Sequence, residues 1–289
     1  MSIESLYEQY RTGLFALAYR MTGSVMDAED IVQDAFLAYG QKTDMEKVEN
    51  ERAYLYKIVT NRCLDLLRSS SKKRELYVGP WLPEPLLGDW KEEGDPSELY
   101  LRRETITTAY LLLLQQMNAV ERAIFVLREL FGYSYEEIAD MVGKSSPNCR
   151  QIFHRAQKSM QFDPEQLPTV SVAEAYISQF ALAVAQGNTE KLLELVSDKV
   201  VMLSDGGGKV MAAQIPIVGF AKVLGLLRNL ISMYDGKYTY AFQQVNGLPG
   251  MRFTIDGQRP YVYSFDIREG KIQAIYVVAN PDKVKHIPL

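Results

Sequence analysis

The sequence predicts a multidomain protein, with two all-α helical domains, the second built on a helix-turn-helix, followed by an α+β domain. Three observations carry this. Apolar residues recur at three- and four-residue intervals from Ser2 to about Ser70 and again from Leu99 to Met160, the spacing of a helix stripe. A Ser–Glu capping pair, a glycine and a second apolar stripe follow one another within residues 134–156. Alternating β-type runs separated by turn sequences begin only at about Val200.

In the first domain, Leu6, Tyr10, Leu14, Leu17 and Met21 form one stripe, which Gly23 and Ser24 interrupt. Asp27 is expected to cap a second helix carrying Ile31, Ala35 and Ala38, and a third runs from about Glu51 through Leu55, Val59, Cys63 and Leu67. Residues 71–98 are rich in Pro, Gly and acids, which is linker chemistry. Both tryptophans, Trp81 and Trp90, lie there, and two large apolar rings predict a linker that packs on something. FDPEQLPTV (Phe162–Val170) is a second break. Beyond it the pattern predicts helices at about Val172–Gln186, Thr189–Leu195 and Phe220–Met233. Strands are expected at Val200–Leu203, Val210–Ala213, Tyr238–Gln244, Met251–Ile255, Pro260–Ile267 and Lys271–Ala279, with NGLPG, DGQ and REG as turns.

Composition bounds the class. With 289 residues and 47% hydrophobic content the chain has room for two or three domains. Its charged N-terminal stretch is unlike a secretory signal and its apolar run Leu111–Leu114 is too short to span a bilayer, so a cytoplasmic protein with no membrane partner is expected. The two cysteines, Cys63 and Cys149, are far apart, and the only histidines are His154 and His286; buried thiols are expected, with no metal and no cofactor. The formal net charge is -4, yet the basic residues cluster: Arg52, Lys57, Arg62, Arg68, Lys72, Lys73 and Arg74 in one stretch, Lys144, Arg150, Arg155 and Lys158 in another. Two cationic surfaces on an acidic chain point to two contacts with one polyanion.

The sharpest local pattern is FGYSYEEIADMVGKSSPNCRQIFHRAQKS. Ser134 and Glu137 make a capping box, Gly143 supplies the tight turn, and Ser145 and Pro147 start a second helix with Cys149, Ile152, Phe153 and Ala156 inward. Its outer face presents Ser146, Asn148, Arg150, Gln151, His154, Arg155 and Lys158, a set that seats a helix in the major groove, amides and guanidinium groups toward base edges and other cations on phosphates. An ordinary solvated bundle helix is the plainer alternative. The third helix of the first domain interleaves Arg52, Tyr54, Tyr56, Lys57, Asn61, Arg62 and Arg68; cations track phosphates while aromatics stack on unpaired bases. Tyr54 and Leu55 could equally be core. The acidic second helix cannot bind DNA, and its Asp27, Asp30, Gln33 and Asp34, with Phe36 nearby, suit a basic protein surface.

LAYRMTGSVMDAEDIVQDAFLAY followed by RAYLYKIVTNRCLDLLR resembles region 2 of extracytoplasmic-function sigma factors, and FGYSYEEIADMVGKSSPNCRQIFHRA resembles their region 4. The resemblance implies that the acidic helix docks on the β′ clamp helices of core RNA polymerase, that the basic–aromatic helix opens and holds the −10 element, and that the helix-turn-helix reads the −35 element beside the β flap. WLPEP (Trp81–Pro85), DGGGK (Asp205–Lys209) and NPDK (Asn280–Lys283) are similar to the SigJ-like group, whose fused SnoaL-like domain, a cone-shaped α+β fold, tunes activity in place of a separate anti-sigma protein. The implied layout is 1–75 region 2, 76–98 linker, 99–162 region 4 and 170–289 regulatory domain. SSPNC stands where acid–glycine–threonine is common, which leaves the promoter sequence open.

Proton-transfer chemistry in the last domain would need a positioned acid or base, and the candidates are Asp205, Asp266, Tyr240, Tyr261 and Tyr263. Strand alternation turns Asp266 away from the Tyr261/Tyr263/Phe265 face, so no catalytic residue is assigned and no enzyme is expected. DGGGK lacks the spacing of a phosphate loop and fits a close backbone approach instead. Trp81, Pro83, Glu84, Asp205, Gly207, Lys209, Asn280, Pro281, Asp282 and Lys283 are therefore expected to meet in one interface that fixes the spacing of the two DNA-reading domains. Two other readings fit the sequence: a one-component helix-turn-helix regulator whose cone binds a metabolite, and a SnoaL-like isomerase or cyclase with a DNA-binding appendage.

Overall fold

The structure is a computed structural model that describes residues 3–41, 50–88, 106–160, 166–234, 236–255 and 259–288. It divides into two units: one comprises 1–75, 94–104 and 110–162, the other 76–93, 105–109 and 163–289.

The first unit holds α1 (Ile3–Thr22), α2 (Val25–Gly40), α3 (Glu51–Glu75), most of α4 (Thr108–Gln116), α5 (Ala119–Glu129), α6 (Tyr135–Val142) and α7 (Ser146–Ser159). Gly23, at φ 70, ends α1. Ser24, not Asp27, is the N-cap of α2; its hydroxyl accepts from the Asp27 backbone N–H, and Asp27 sits in the first turn, where its charge favours the helix dipole. Leu14, Leu17, Leu55, Val59, Ile124 and Leu127 are all fully buried, so α1, α3 and α5 share one core.

A buried arginine that periodicity does not reveal holds this core. Arg122 Nε donates to the Leu114 carbonyl at 2.8 Å and Nη2 to that of Met117 at 3.2 Å, while Nη1 donates to Met21. These carbonyls lie in the last turns of α4 and α1 and in the turn just after α4, where no intrahelical donor remains. One guanidinium thus ties two helix ends to a third helix.

The second unit contains a seven-stranded sheet in the order β1-β4-β5-β6-β7-β2-β3, with β1 (Leu87–Gly88), β2 (Val196–Asp205), β3 (Ile217–Val218), β4 (Tyr238–Val245), β5 (Leu248–Ile255), β6 (Tyr261–Arg268) and β7 (Lys271–Val278). Among the described strands only β2 and β7 pair in parallel. Helices α8 (Val170–Ala185), α9 (Thr189–Leu195) and α10 (Phe220–Met233) bury Ile177, Phe180, Leu192, Val223 and Leu227 against Val200, Tyr263, Phe265 and Ile275 of the sheet.

Two expectations need correction. Val210–Ala213 is not a strand: after the DGGGK turn the chain runs irregularly to β3. NGLPG is not all turn, because Asn246 (φ 51) and Gly247 (φ 78) alone reverse the chain and Leu248 already pairs with Val245. The REG hairpin is present, with Glu269 and Gly270 at positive φ and Arg268 opposite Lys271. The expected DGQ turn lies outside the described residues.

Candidate functional site

Helices α6 and α7 form the helix-turn-helix. Ser134 and Glu137 cap α6 reciprocally, with Glu137 accepting from the Ser134 backbone N–H at 2.8 Å. Gly143 takes the left-handed conformation at φ 66 and ψ 41 that the tight turn requires. Ser145 is the N-cap of α7, but its side chain makes no capping bond. Instead Ser146 Oγ donates to Glu136 Oε1 at 2.7 Å, which draws that carboxyl below its usual range and ties α7 to α6. Cys149, Ile152, Phe153 and Ala156 are buried as the stripe predicts.

Asn148, Arg150, Gln151, His154, Arg155 and Lys158 are exposed, and Ser146 is half-buried. Arg150 is not a free cation: its guanidinium lies 5.1 Å from the centre of the Tyr135 ring. Arg128 approaches the same ring at 4.8 Å. The face is thus cationic and held against α6 by Tyr135 and Glu136.

The basic–aromatic helix α3 is arranged differently from expectation. Tyr56 is buried at 3% exposure, its ring 5.0 Å from Phe131 and 5.4 Å from Tyr133. A Cβ on Gly13 would strike its hydroxyl. Tyr56 is therefore core here and offers no face to a base. Arg52 is exposed but lies over both the Tyr56 and Tyr133 rings, and Lys57 Nζ pairs with Asp140 of α6 at 2.8 Å. Tyr54 is half-buried near Tyr39 and Arg68 pairs with Asp65, while Asn61 is exposed. The core reading open to Tyr54 and Leu55 thus extends to Tyr56, where aromatic contacts from residues 131 and 133 bury the ring.

On α2, Asp30, Gln33 and Asp34 are exposed and Asp27 is half-buried. Phe36 is a correction, since it is buried with its ring edge-on to Tyr7 at 5.0 Å. Arg62 pairs with Asp34 at 2.8 Å, so one basic and one acidic candidate are already partners.

In the second unit the three short motifs come together. The Asp205 carboxylate, fully buried at the end of β2, accepts from Tyr77 Oη at 2.5 Å, Leu82 N–H at 2.8 Å, Gly207 N–H at 3.1 Å and Lys283 Nζ at 2.7 Å. Lys283 also donates to the Leu82 carbonyl at 2.5 Å and lies 3.7 Å from the centre of the Trp81 ring. Asn280 Nδ2 donates to Tyr77 Oη at 2.7 Å, and Asp282 pairs with Lys209 at 2.5 Å. Burial, with the adjacent carboxylate, pushes the Tyr77 phenol above its ordinary pKa and keeps it a donor. A Cβ on Gly207 would collide with Asn280, which explains a glycine there. Pro83 and Glu84 are buried, Pro281 is half-buried, and Trp90 lies outside the described residues.

Five further contacts escaped the sequence reading. Leu87 and Gly88 add to the sheet beside β4, and Leu86 N–H donates to Asn246 Oδ1 at 2.8 Å. His286 Nε2 lies 3.0 Å from the Pro85 carbonyl. Thr108 Oγ1 lies 2.8 Å from Ser264 Oγ and accepts from Asn246 Nδ2 at 2.9 Å. Residues 77–88 and Thr108, which flank 89–105, are thus both anchored on the sheet unit. Each bond spans more than a hundred residues, which no local pattern reports.

A helix-turn-helix with a cationic outer helix, a preceding helical bundle and a fused α+β unit define the class: a DNA-binding transcription protein of the sigma-70 type. Models of Sigma-70 region 2 and Sigma-70 region 4 match residues 6–73 and 107–160. The chain is 32% identical to the ECF RNA polymerase sigma factor SigJ of Mycobacterium tuberculosis, over 99% of this chain and 94% of that one. It is 27% identical to a probable ECF RNA polymerase sigma factor, SigI, of the same species, over 96% and 93%. The crystal structure of the M. tuberculosis sigma factor SigJ superposes with a TM-score of 0.79 at 29% identity, covering 99% of both chains. The chain belongs to the extracytoplasmic-function RNA polymerase sigma factors, with an α+β SnoaL-like domain at its C-terminus. Proteins of this family bind core RNA polymerase and promoter DNA and direct transcription initiation, a role that is not enzymatic. Among the described residues no helix is long and apolar enough to cross a membrane.

Proposed function

We propose that α7 reads the −35 element through Asn148, Gln151, His154, Arg155 and Lys158, with Arg150 and Ser146 contributing while also bracing α7 on α6. Exposure of the first five on one helix face supports this. Helix α3 serves the −10 element through Asn61, Arg62, Arg68 and, once released, Arg52 and Lys57. Asp27, Asp30, Gln33 and Asp34 of α2 form the polymerase-facing acidic surface, with Phe36 supporting it from within and Tyr54 and Tyr56 supporting α3. Initiation takes place in the cytoplasm, where core polymerase works.

The C-terminal unit tunes this activity by holding the connector between the two helical regions at both ends, in place of a separate anti-sigma protein. The observation that carries the reading is the buried Asp205, which gathers Tyr77, Leu82 and Lys283 around one carboxylate. The unit acts without turnover: Asp205 is ion-paired with Lys283 and Asp266 with Arg268, so both carboxylates are committed elsewhere. The test is run-off transcription with sigma-free core polymerase. Full-length protein should initiate at discrete start sites, and variants that release the connector should change the yield. Failure to associate with core polymerase would overturn the reading.

A further inference from the structure

Helix α7 carries the cations Arg150, Arg155 and Lys158, and exposure alone does not say which reads a base and which holds a phosphate. Recognition helices meet base edges through their N-terminal residues, and of the three only Arg150 lies in the first half of α7. It is also held differently. Its guanidinium lies 5.1 Å from the centre of the Tyr135 ring, whereas among the described residues neither Arg155 nor Lys158 has an ion pair or a ring contact. A π face attracts a guanidinium without consuming a hydrogen-bond donor, while a carboxylate would occupy the fork itself. Among the described residues no N–H of Arg150 meets an acceptor, so its fork is open.

The Tyr135 ring is itself fixed. Tyr135 opens α6 and is half-buried, with Phe153 edge-on to it at 6.1 Å and Phe153 stacked in turn on Phe125 at 5.8 Å. Arg128 approaches the same ring at 4.8 Å and is anchored by Nη1, which donates to the Tyr133 carbonyl at 2.9 Å. Its like charge opposes any swing of Arg150 toward α5. A second tie sets the rotation of α7. Ser146 and Arg150 lie one helical turn apart on the same side, and Ser146 Oγ donates to Glu136, the residue after Tyr135, at 2.7 Å. Two neighbouring residues of α6 thus hold two successive turns of α7.

A long side chain pays conformational entropy when it is ordered by binding, and one that is already placed pays less. An open, placed guanidinium fork matches the O6 and N7 acceptors that guanine shows in the major groove. We infer that Tyr135 is a positioning residue for promoter readout: it holds the Arg150 fork where that fork reads a guanine of the −35 element. Glu136 keeps the register through Ser146, and Arg155 and Lys158 serve the phosphates. This inference deepens the reading of α7 as the −35 helix and rests on it.

The test uses holoenzyme assembled from the full-length chain and sigma-free core polymerase. The template is a genomic fragment carrying one of its start sites, with the base pairs around −35 randomised. Sequencing barcoded run-off transcripts gives the base preference at each position. A guanine preference of about fivefold or more is expected at one position, lost in Arg150→Ala and equally in Arg150→Lys, which keeps the charge but not the fork. Placing 7-deazaguanine there removes the N7 acceptor and should lower the yield of the native protein but not that of Arg150→Ala. Tyr135→Leu should reduce the preference at that same position about two- to fivefold and leave the others unchanged, and Tyr135→Phe, which keeps the ring, should restore it. Tyr135→Leu should add nothing to Arg150→Ala, because the two residues act as one unit. An undiminished preference in Tyr135→Leu overturns the positioning, and so does an even loss across all −35 positions, the mark of a merely structural residue. If the leucine variant melts early, Tyr135→Met is read by the same criteria. A −35 preference that Arg150→Ala leaves whole, or an Arg150-dependent preference for another base, overturns the guanine assignment. If native holoenzyme shows no −35 preference at all, the reading of α7 as the −35 helix fails first and takes this inference with it.

Discussion

Replacing Asp205 by Asn is the most informative single change, because it removes one charge and little volume. In the native unit the carboxylate has no exposure and Lys283 very little, and the pair lies at 2.7 Å. Asparagine keeps one oxygen, which in the Oδ2 place still accepts from the Leu82 N–H and Lys283, but its amide nitrogen in the Oδ1 place cannot accept from Tyr77 or Gly207. The ammonium is then buried with neutral partners, that oxygen, the Leu82 carbonyl and the Tyr77 and Trp81 rings, and no counter-charge. Breaking a buried pair in this way costs about 3–5 kcal/mol. For a unit of this size each kcal/mol shifts the melting temperature by about 2–4 °C, so a fall of roughly 6–20 °C is expected for its transition. The assay is thermal unfolding followed by circular dichroism, paired with limited proteolysis, where cleavage between Tyr77 and Gly88 should accelerate. Asp205→Asn combined with Lys283→Met should be less damaging than the two single effects together, since no unpaired charge remains. A melting point within a degree or two of the unmodified protein, with unchanged cleavage, would refute the account of Asp205 as the organising group.

Four other outcomes follow from the first unit. Asp140→Ala should free Lys57 and raise affinity for a single-stranded −10 oligonucleotide; the pair is largely exposed, so the gain is at most about fivefold, read by fluorescence anisotropy, and weaker binding would count against occlusion of α3. Arg155→Ala should weaken duplex binding across sequences and reduce the slope of log affinity against log salt by about 1, measured between low and moderate ionic strength. Gly143→Ala should cost about 1–2 kcal/mol, because a Cβ there meets nothing within 4 Å and backbone strain alone opposes it; Gly143→Asn should lose less, and equal melting points for all three would contradict this. Cys63 is buried and its thiol pKa is pushed well above the ordinary range by burial, so it should resist a thiol-reactive dye at neutral pH until the protein unfolds, as a stopped-flow absorbance trace would report.

Much of the local architecture was legible because its causes are local. A Ser three residues before a Glu, then a glycine where α6 must end, dictate the helix-turn-helix whatever surrounds it. The glycines of DGGGK were readable as sites of close approach, though not what approaches them. The side assigned to Tyr56 was not readable. An aromatic on an amphipathic helix serves a core and a nucleic acid equally well by pattern, and Phe131 and Tyr133 come from beyond the next three elements. Phe36 was misread for a similar reason, since Tyr7 from another helix covers it, whereas the capping role given to Asp27 failed locally, because Ser24 three positions earlier takes it.

The sequence by itself determined the helical periods, the caps, the clustered cations and the family to which these motifs belong, because each depends on residues a few positions apart. Tertiary structure alone decided which candidates are free and which are engaged. Arg122 reaching Met21, Lys57 meeting Asp140, and Asp205 gathering Tyr77 and Lys283 all join segments dozens to more than a hundred residues apart. The physical reason is that a charge or phenol chooses its partner by distance and desolvation in the folded chain, and neither quantity exists before the chain has closed on itself.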